Sequence, residues 1–139
     1  MMTTESKEQR AKSKEEGIKI RNFTDMRAWQ EAHALYVGIY QTTHDFPKEE
    51  LFGLTNQIRR AALSVTSNIA EGFGRSSSLD KVHFYIMARG SLFEVQNQLL
   101  AAKDTGLLEK STFYTLFEQS QLAQRILIGL IKATRERTK

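Results

Sequence analysis

Apolar residues recur along this chain with the three-to-four-residue period of an amphipathic helix, and turn-forming residues cut that pattern into four stretches. A first helix is expected over Asp25–Thr43, capped by Thr24 or Asp25, with Trp29, Ala32, Tyr36, Ile39, Tyr40 and Thr43 on one face. The run His44-Asp45-Phe46-Pro47 ends it, because a residue before proline is pushed out of the α region. A second helix starts near Lys48, with Pro47 at or near the first helical position, where a missing N–H costs nothing. Its stripe is Leu51, Leu54, Ile58, Ala61, Val65 and Ile69, and Gly72 and Gly74 stop it. The third helix is expected from an N-cap at Ser78 to about Thr105, with Asp80 in its first turn and Gly106 just past its end. The fourth runs from about Glu109 into the low 130s through Phe113, Leu116, Phe117, Ala123, Leu127, Leu130 and Ile131. No stretch alternates for long enough to make a strand. Short connections favour antiparallel neighbours, so the expected fold is all-α, an antiparallel up-down-up-down four-helix bundle.

The third helix carries more apolar surface than one core face needs. Phe84, Ala88, Leu92, Val95, Leu99 and Ala102 form one stripe. Val82, Ile86, Phe93 and Leu100 form a second, roughly 120° away, with Arg89 and Gln96 between the two. Two readings are open: a wide arc buried within one bundle, or a subunit interface made of Val82, Ile86, Arg89, Phe93, Gln96 and Leu100. Leu122 and Ile126, off the main stripe of the fourth helix, lean toward the interface.

Charge divides the chain in a way the pattern does not. The net charge is +4 over 139 residues. Residues 1–22 carry six basic and four acidic side chains, while the segment 23–129 carries ten basic against eleven acidic. Lys132, Arg135, Arg137 and Lys139 face only Glu136 at the far end. The basic excess therefore sits at the two ends, which read either as solvated termini or as tails that help hold phosphates. Residues 1–22 are expected to be a flexible charged arm, with the bundle domain over 23–139. The polar stretch Met1–Lys19 lacks the apolar core of a secretory signal, and no apolar run approaches the ~20 residues of a membrane span. The expected location is cytoplasmic, without membrane contact.

Little in the chain points to catalysis. There is no cysteine, which excludes disulfides, thiolate metal sites and a cysteine nucleophile. A di-iron bundle needs two Glu-x-x-His pairs; this chain offers only Asp80-Lys-Val-His83, and His33, His44 and His83 are scattered. No serine stands in a nucleophile elbow. Gly72-Phe73-Gly74-Arg75 follows a helix rather than a strand and lacks the Gly-Lys-Ser/Thr ending of a phosphate loop. The chain is thus read as a non-enzyme with no metal and no cofactor. What survives is a phosphate site at the start of the third helix, beside Arg75 and Lys81.

Opposite the apolar stripe of the second helix lies a polar arc of Gln57, Arg60, Ser64, Ser67, Asn68 and Glu71, with small members that permit close helix approach. Ser91, Glu94 and Gln98 form a similar stripe beside Gly90. Arg59 or Arg60 is expected to pair with Glu94 or Glu71, giving a structural polar network of Gln57, Arg59, Arg60, Ser64, Asn68, Glu71 and Glu94. Trp29 and Phe84 fall on core stripes, which argues against base stacking.

The string Phe23-x-Asp25-Met26-x-Ala28-Trp29-Gln30-x-Ala32 continues through Phe46-Pro47-x-x-Glu50-x-Phe52-Gly53-Leu54-x-x-Gln57-x-Arg59-Arg60-Ala61-Ala62-x-Ser64-Val65. Asn68-Ile69-Ala70-Glu71-Gly72-x-Gly74-Arg75 and Phe84-x-x-x-Ala88-x-Gly90-Ser91-Leu92-x-Glu94 follow. In these residues the chain resembles the small four-helix-bundle family encoded by intervening sequences inside bacterial 23S ribosomal RNA genes. The accessory protein of diversity-generating retroelements is similar to that family. The resemblance covers about Phe23 to Leu108 and implies a four-helix bundle that assembles as a homopentamer around a central channel. It implies an RNA-binding role and brings no catalytic residues. Two departures stand out: Met26 where leucine is usual, and a near-neutral segment 23–129 where the retroelement protein is strongly basic.

The expected function is a non-enzymatic, homo-oligomeric protein that binds structured RNA or another nucleic acid through phosphate contacts. Arg75, Lys81, Lys132, Arg135, Arg137 and Lys139 are the candidate contacts, and repetition in the oligomer compensates for weak individual ones. The alternative is an assembly or scaffold protein that binds a protein partner and no nucleic acid.

Overall fold

The computed structural model describes residues 19–137, so the expected arm falls largely outside the described residues, as does Lys139. Four α-helices and no strands occur among the described residues: α1 (Arg27–Thr43), α2 (Asn56–Phe73), α3 (Ser78–Asp104) and α4 (Lys110–Glu136). Each helix packs on its chain neighbour, and α1 also packs on α4, which closes the four into a bundle. No helix among the described residues is long and apolar enough to cross a membrane.

Local chemistry sets the boundaries. Ahead of α1, Phe23–Asp25 forms a 3-10 turn capped by Asn22, with the Asp25 carboxylate reaching back to the backbone N–H groups of Arg21 and Asn22. The first helix thus starts later than its pattern predicts, because Asp25 is spent on that turn. After Pro47 the chain makes a 3-10 turn (Lys48–Glu50) and a π turn (Leu51–Thr55) before α2 becomes regular. Ser77, one residue before the expected Ser78, caps α3 by accepting the Asp80 N–H at 3.1 Å. Gly106 follows α3 with φ +82°, a left-handed conformation that glycine adopts without penalty.

The core is one apolar cluster with Leu35, Ile39, Ile58, Ile69, Leu92, Leu99 and Leu127 fully enclosed. On α2 the expected Ile58, Ala61, Val65 and Ile69 all turn inward, but Leu51 stays about half exposed. On α1 the buried face is Ala28, Ala32, Leu35, Ile39 and Thr43, rotated from the expected one. Large aromatic rings misled the reading: Tyr36 and Tyr40 lie at the edge of the stripe, and the smaller residues face the centre. Gly72 has a packing role, since a Cβ there would lie 2.7 Å from the buried Tyr85 ring.

Candidate nucleic-acid interface and assembly surface

Arg75 and Lys81, the basic residues expected at the α2–α3 connection, both engage the end of α2. Lys81, one turn into α3, turns its ammonium back on the end of α2, donating to the carbonyl oxygens of Phe73 at 2.7 Å and Gly72 at 3.4 Å. A cation there satisfies carbonyls that the helix leaves unpaired and faces the negative end of its dipole. Arg75 donates to Glu71 at 2.8 Å and lays its guanidinium 4.6 Å from the centre of the Phe84 ring. The charge of Arg137, at the end of α4, acts on Lys81 and Tyr85. The Lys81 pKa is lowered, first by burial and then by the Arg137 charge. Burial raises the Tyr85 hydroxyl pKa, with Arg137 opposing.

One end of the bundle therefore holds Arg75, Lys81 and Arg137 on three helix ends. Lys132 and Arg135 are exposed within the last two turns of α4. Lys81 is partly committed: an ammonium has three donors, and two carbonyls engage it. Arg75 and Glu71 are both about half exposed, so their pair is weakly held. The α3 N-terminus, already capped by Ser77, is a smaller part of this site than its sequence indicates.

The family model for 23S rRNA-intervening sequence proteins matches residues 24–129. The chain belongs to this family. Among solved structures, a protein of unknown function from the S23 ribosomal protein family of Bacteroides thetaiotaomicron superimposes with a TM-score of 0.68. It is 20% identical, and the match covers 76% of this chain and 98% of that one. At that identity the likeness concerns the fold alone. No curated protein matches the chain. The family's function is unknown, so the other expected sites in this member stand on geometry.

The polar network differs from its expected form. Arg59 donates from Nε to Thr43 Oγ1 at 2.8 Å and from Nη2 to the Tyr40 carbonyl at 3.3 Å, and its guanidinium lies 3.9 Å over the Tyr40 ring. It ties α2 to the end of α1 and pairs with neither Glu94 nor Glu71. Arg60, Gln57 and Glu94 are exposed, and Glu71 pairs with Arg75. The helical wheel misassigned Arg59 because it gives an angle but not the neighbour that lies there. What forms between α2 and α3 is smaller: the Ser64 and Ser91 hydroxyls meet at 2.8 Å, supported within α2 by Asn68, which donates to the Ser64 carbonyl at 2.9 Å. These short side chains bring the two helices close.

The six interface candidates also separate. Val82 is only 8% exposed and belongs to the bundle's own core. Gln96 is half-buried in the α3–α4 seam, donating to Ser120 at 3.2 Å and Gln124 at 2.9 Å. Ile86 and Arg89 are partly buried, while Phe93 and Leu100 stay substantially open. Trp29 and Phe84, expected in the core, are only half-buried; Trp29 stacks on His33 with ring centres 4.5 Å apart. Sequence reasoning missed Phe52, the most exposed large apolar side chain described at 90%. The one available signal is its place beside Pro47 and Gly53, which break a helical reading of that segment.

Proposed function

We propose that this family member is a non-enzymatic, homo-oligomeric, cytoplasmic protein that binds structured RNA through phosphate contacts at one basic end of its bundle. The observation that carries the reading is the gathering of Arg75 and Lys81 at the end of α2, with the Arg137 charge acting on Lys81 and with Lys132 and Arg135 exposed on the last turns of α4. Guanidinium groups there suit phosphate oxygens, and such binding is sequence-tolerant and salt-sensitive. In this reading the helices run antiparallel, up-down-up-down. The contacts Lys81–Gly72 and Ser64–Ser91 support that order, because they retreat along α2 as they advance along α3.

The open apolar residues of α3 support self-assembly, and the family resemblance supports a pentamer. Five copies repeat each basic end, so weak contacts add through avidity. Titrating salt against binding to a structured RNA tests the reading. Affinity is expected to fall linearly on a log–log plot, with a shallower slope for Arg75→Gln combined with Arg137→Gln. Undetectable binding at about 50 mM salt overturns it.

A further inference from the structure

We infer that Phe52 is the anchor of a head-to-tail contact between copies of this chain, seated in the groove between α3 and α4 of the neighbouring copy. This rests on the self-assembly proposed above and names the two surfaces that meet. Phe52 is 90% exposed and Leu51 about half exposed. The turn beneath them is well anchored: Thr55 is buried, Leu54 packs on the core, and the Glu50 carboxylate accepts the Leu54 N–H at 3.5 Å. A fixed π turn thus projects two apolar side chains away from the bundle. No described aromatic ring or cation packs on Phe52.

The receiving surface lies on another face. The Gln96–Gln124 hydrogen bond marks the α3–α4 seam. Phe93 and Leu100 flank Gln96 at three residues before and four after, and Phe117 and Ile128 flank Gln124 at seven before and four after. Phe93, Leu100 and Ile128 are each substantially exposed. Leu79, Ile86, Phe93 and Leu100 recur every seventh residue, so the strip runs the length of α3. Beside it sits Gly90, in mid-helix, where an added Cβ would meet nothing within 4 Å. Packing inside the bundle does not call for glycine there, and the bare backbone leaves room for a ring.

Charge favours this occupant. Phe52 is flanked by Glu49 and Glu50, with Asp45 before them and Lys48 as the only nearby cation in sequence. The charged residue on the seam side of α3 beside Phe93 is Arg89, while Gln96, Gln121 and Gln124 are neutral. On its seam side the groove offers this acidic turn Arg89, while Glu94 lies on the other flank of Phe93. Repeated head to tail, a contact between two different surfaces closes into a ring when the rotation between neighbours closes, as the pentamer proposed above requires.

Sedimentation of the full chain tests this with Phe52→Glu and with two groove variants, Phe93→Glu and Gly90→Gln, each checked for native helicity. Gly90→Gln fills the bare patch without an internal clash, which guards against a folding defect in Phe93→Glu. Each variant alone is expected to sediment as a monomer, with association weakened at least tenfold. Mixing Phe52→Glu with either groove variant is expected to give a one-to-one dimer, since one intact turn then meets one intact groove. If Phe52→Glu keeps the wild-type mass while the groove variants dissociate, the Phe52 anchor is overturned and self-assembly stands. If the mixture stays monomeric, the contact is not turn-to-groove. A wild-type chain that is monomeric at every concentration overturns self-assembly itself and leaves these surfaces to a different protein.

Discussion

At the end of the bundle where α2 hands over to α3, the chain supplies its own closure. Lys81 covers the last carbonyls of α2, Ser77 caps α3, and Gly72 lets the Tyr85 ring lie against the backbone. Where α1 hands over to α2, the connection is longer and less satisfied. Phe52 points outward, and the nearby Thr55 hydroxyl is buried with no partner among the described residues. Gln98, in the second half of α3, likewise buries an unpartnered side-chain oxygen. The contrast separates polar groups that close a fold from surface left for something else. In the proposed reading the first end spends its remaining charge on phosphate, and the second spends its apolar surface on a neighbour.

The contrast breaks most visibly at Gly72. Gly72→Ala is expected to destabilise the chain by about 1–3 kcal/mol, because the methyl group would press on an enclosed ring. Urea unfolding measures this, and a neutral result would mean that the α2–α3 end is looser than its geometry. Gln98→Leu is expected to do the opposite, raising stability by about 1 kcal/mol by removing a buried acceptor without a partner. A loss of stability there would reveal a partner for Gln98. Phe52→Ser is expected to change the stability of the isolated chain by less than about 0.5 kcal/mol, as for an exposed site. A larger loss would assign Phe52 to the bundle's own packing.

The smallest effect concerns the turn ahead of α1. Backbone N–H groups of Arg21 and Asn22 hold the Asp25 pKa below its usual 3.8. A lowered carboxylate pKa stabilises the fold fully above the unfolded value and loses that contribution as pH falls through the folded one. Asp25→Asn is therefore expected to cost stability near neutrality, with the gap from wild type closing as pH drops below 3.8. Paired unfolding curves at the two pH values check the sign.

Much of this was legible because it depends on neighbours in sequence. The four helices, the stop near Gly74, the left-handed Gly106 and the inward face of α2 follow from period and turn chemistry. The placing of Arg75 and Lys81 at the end of α2 was legible too, since only a short loop separates them in sequence. Arg137 joins them from more than fifty residues away, and its arrival at Lys81 depends on how α4 packs.

Sequence alone determined where helices form and which arcs of them are apolar, because backbone propensity and side-chain period act over a few residues. Only the tertiary structure decided which arc meets which neighbour. It turned Arg59 to Tyr40 and Thr43 instead of a carboxylate, drew Val82 into the core, and left Phe52 in the open. The physical reason is that a helix offers several flanks of similar polarity. The choice among them is made by the volumes and hydrogen-bonding groups of the helices that pack against it.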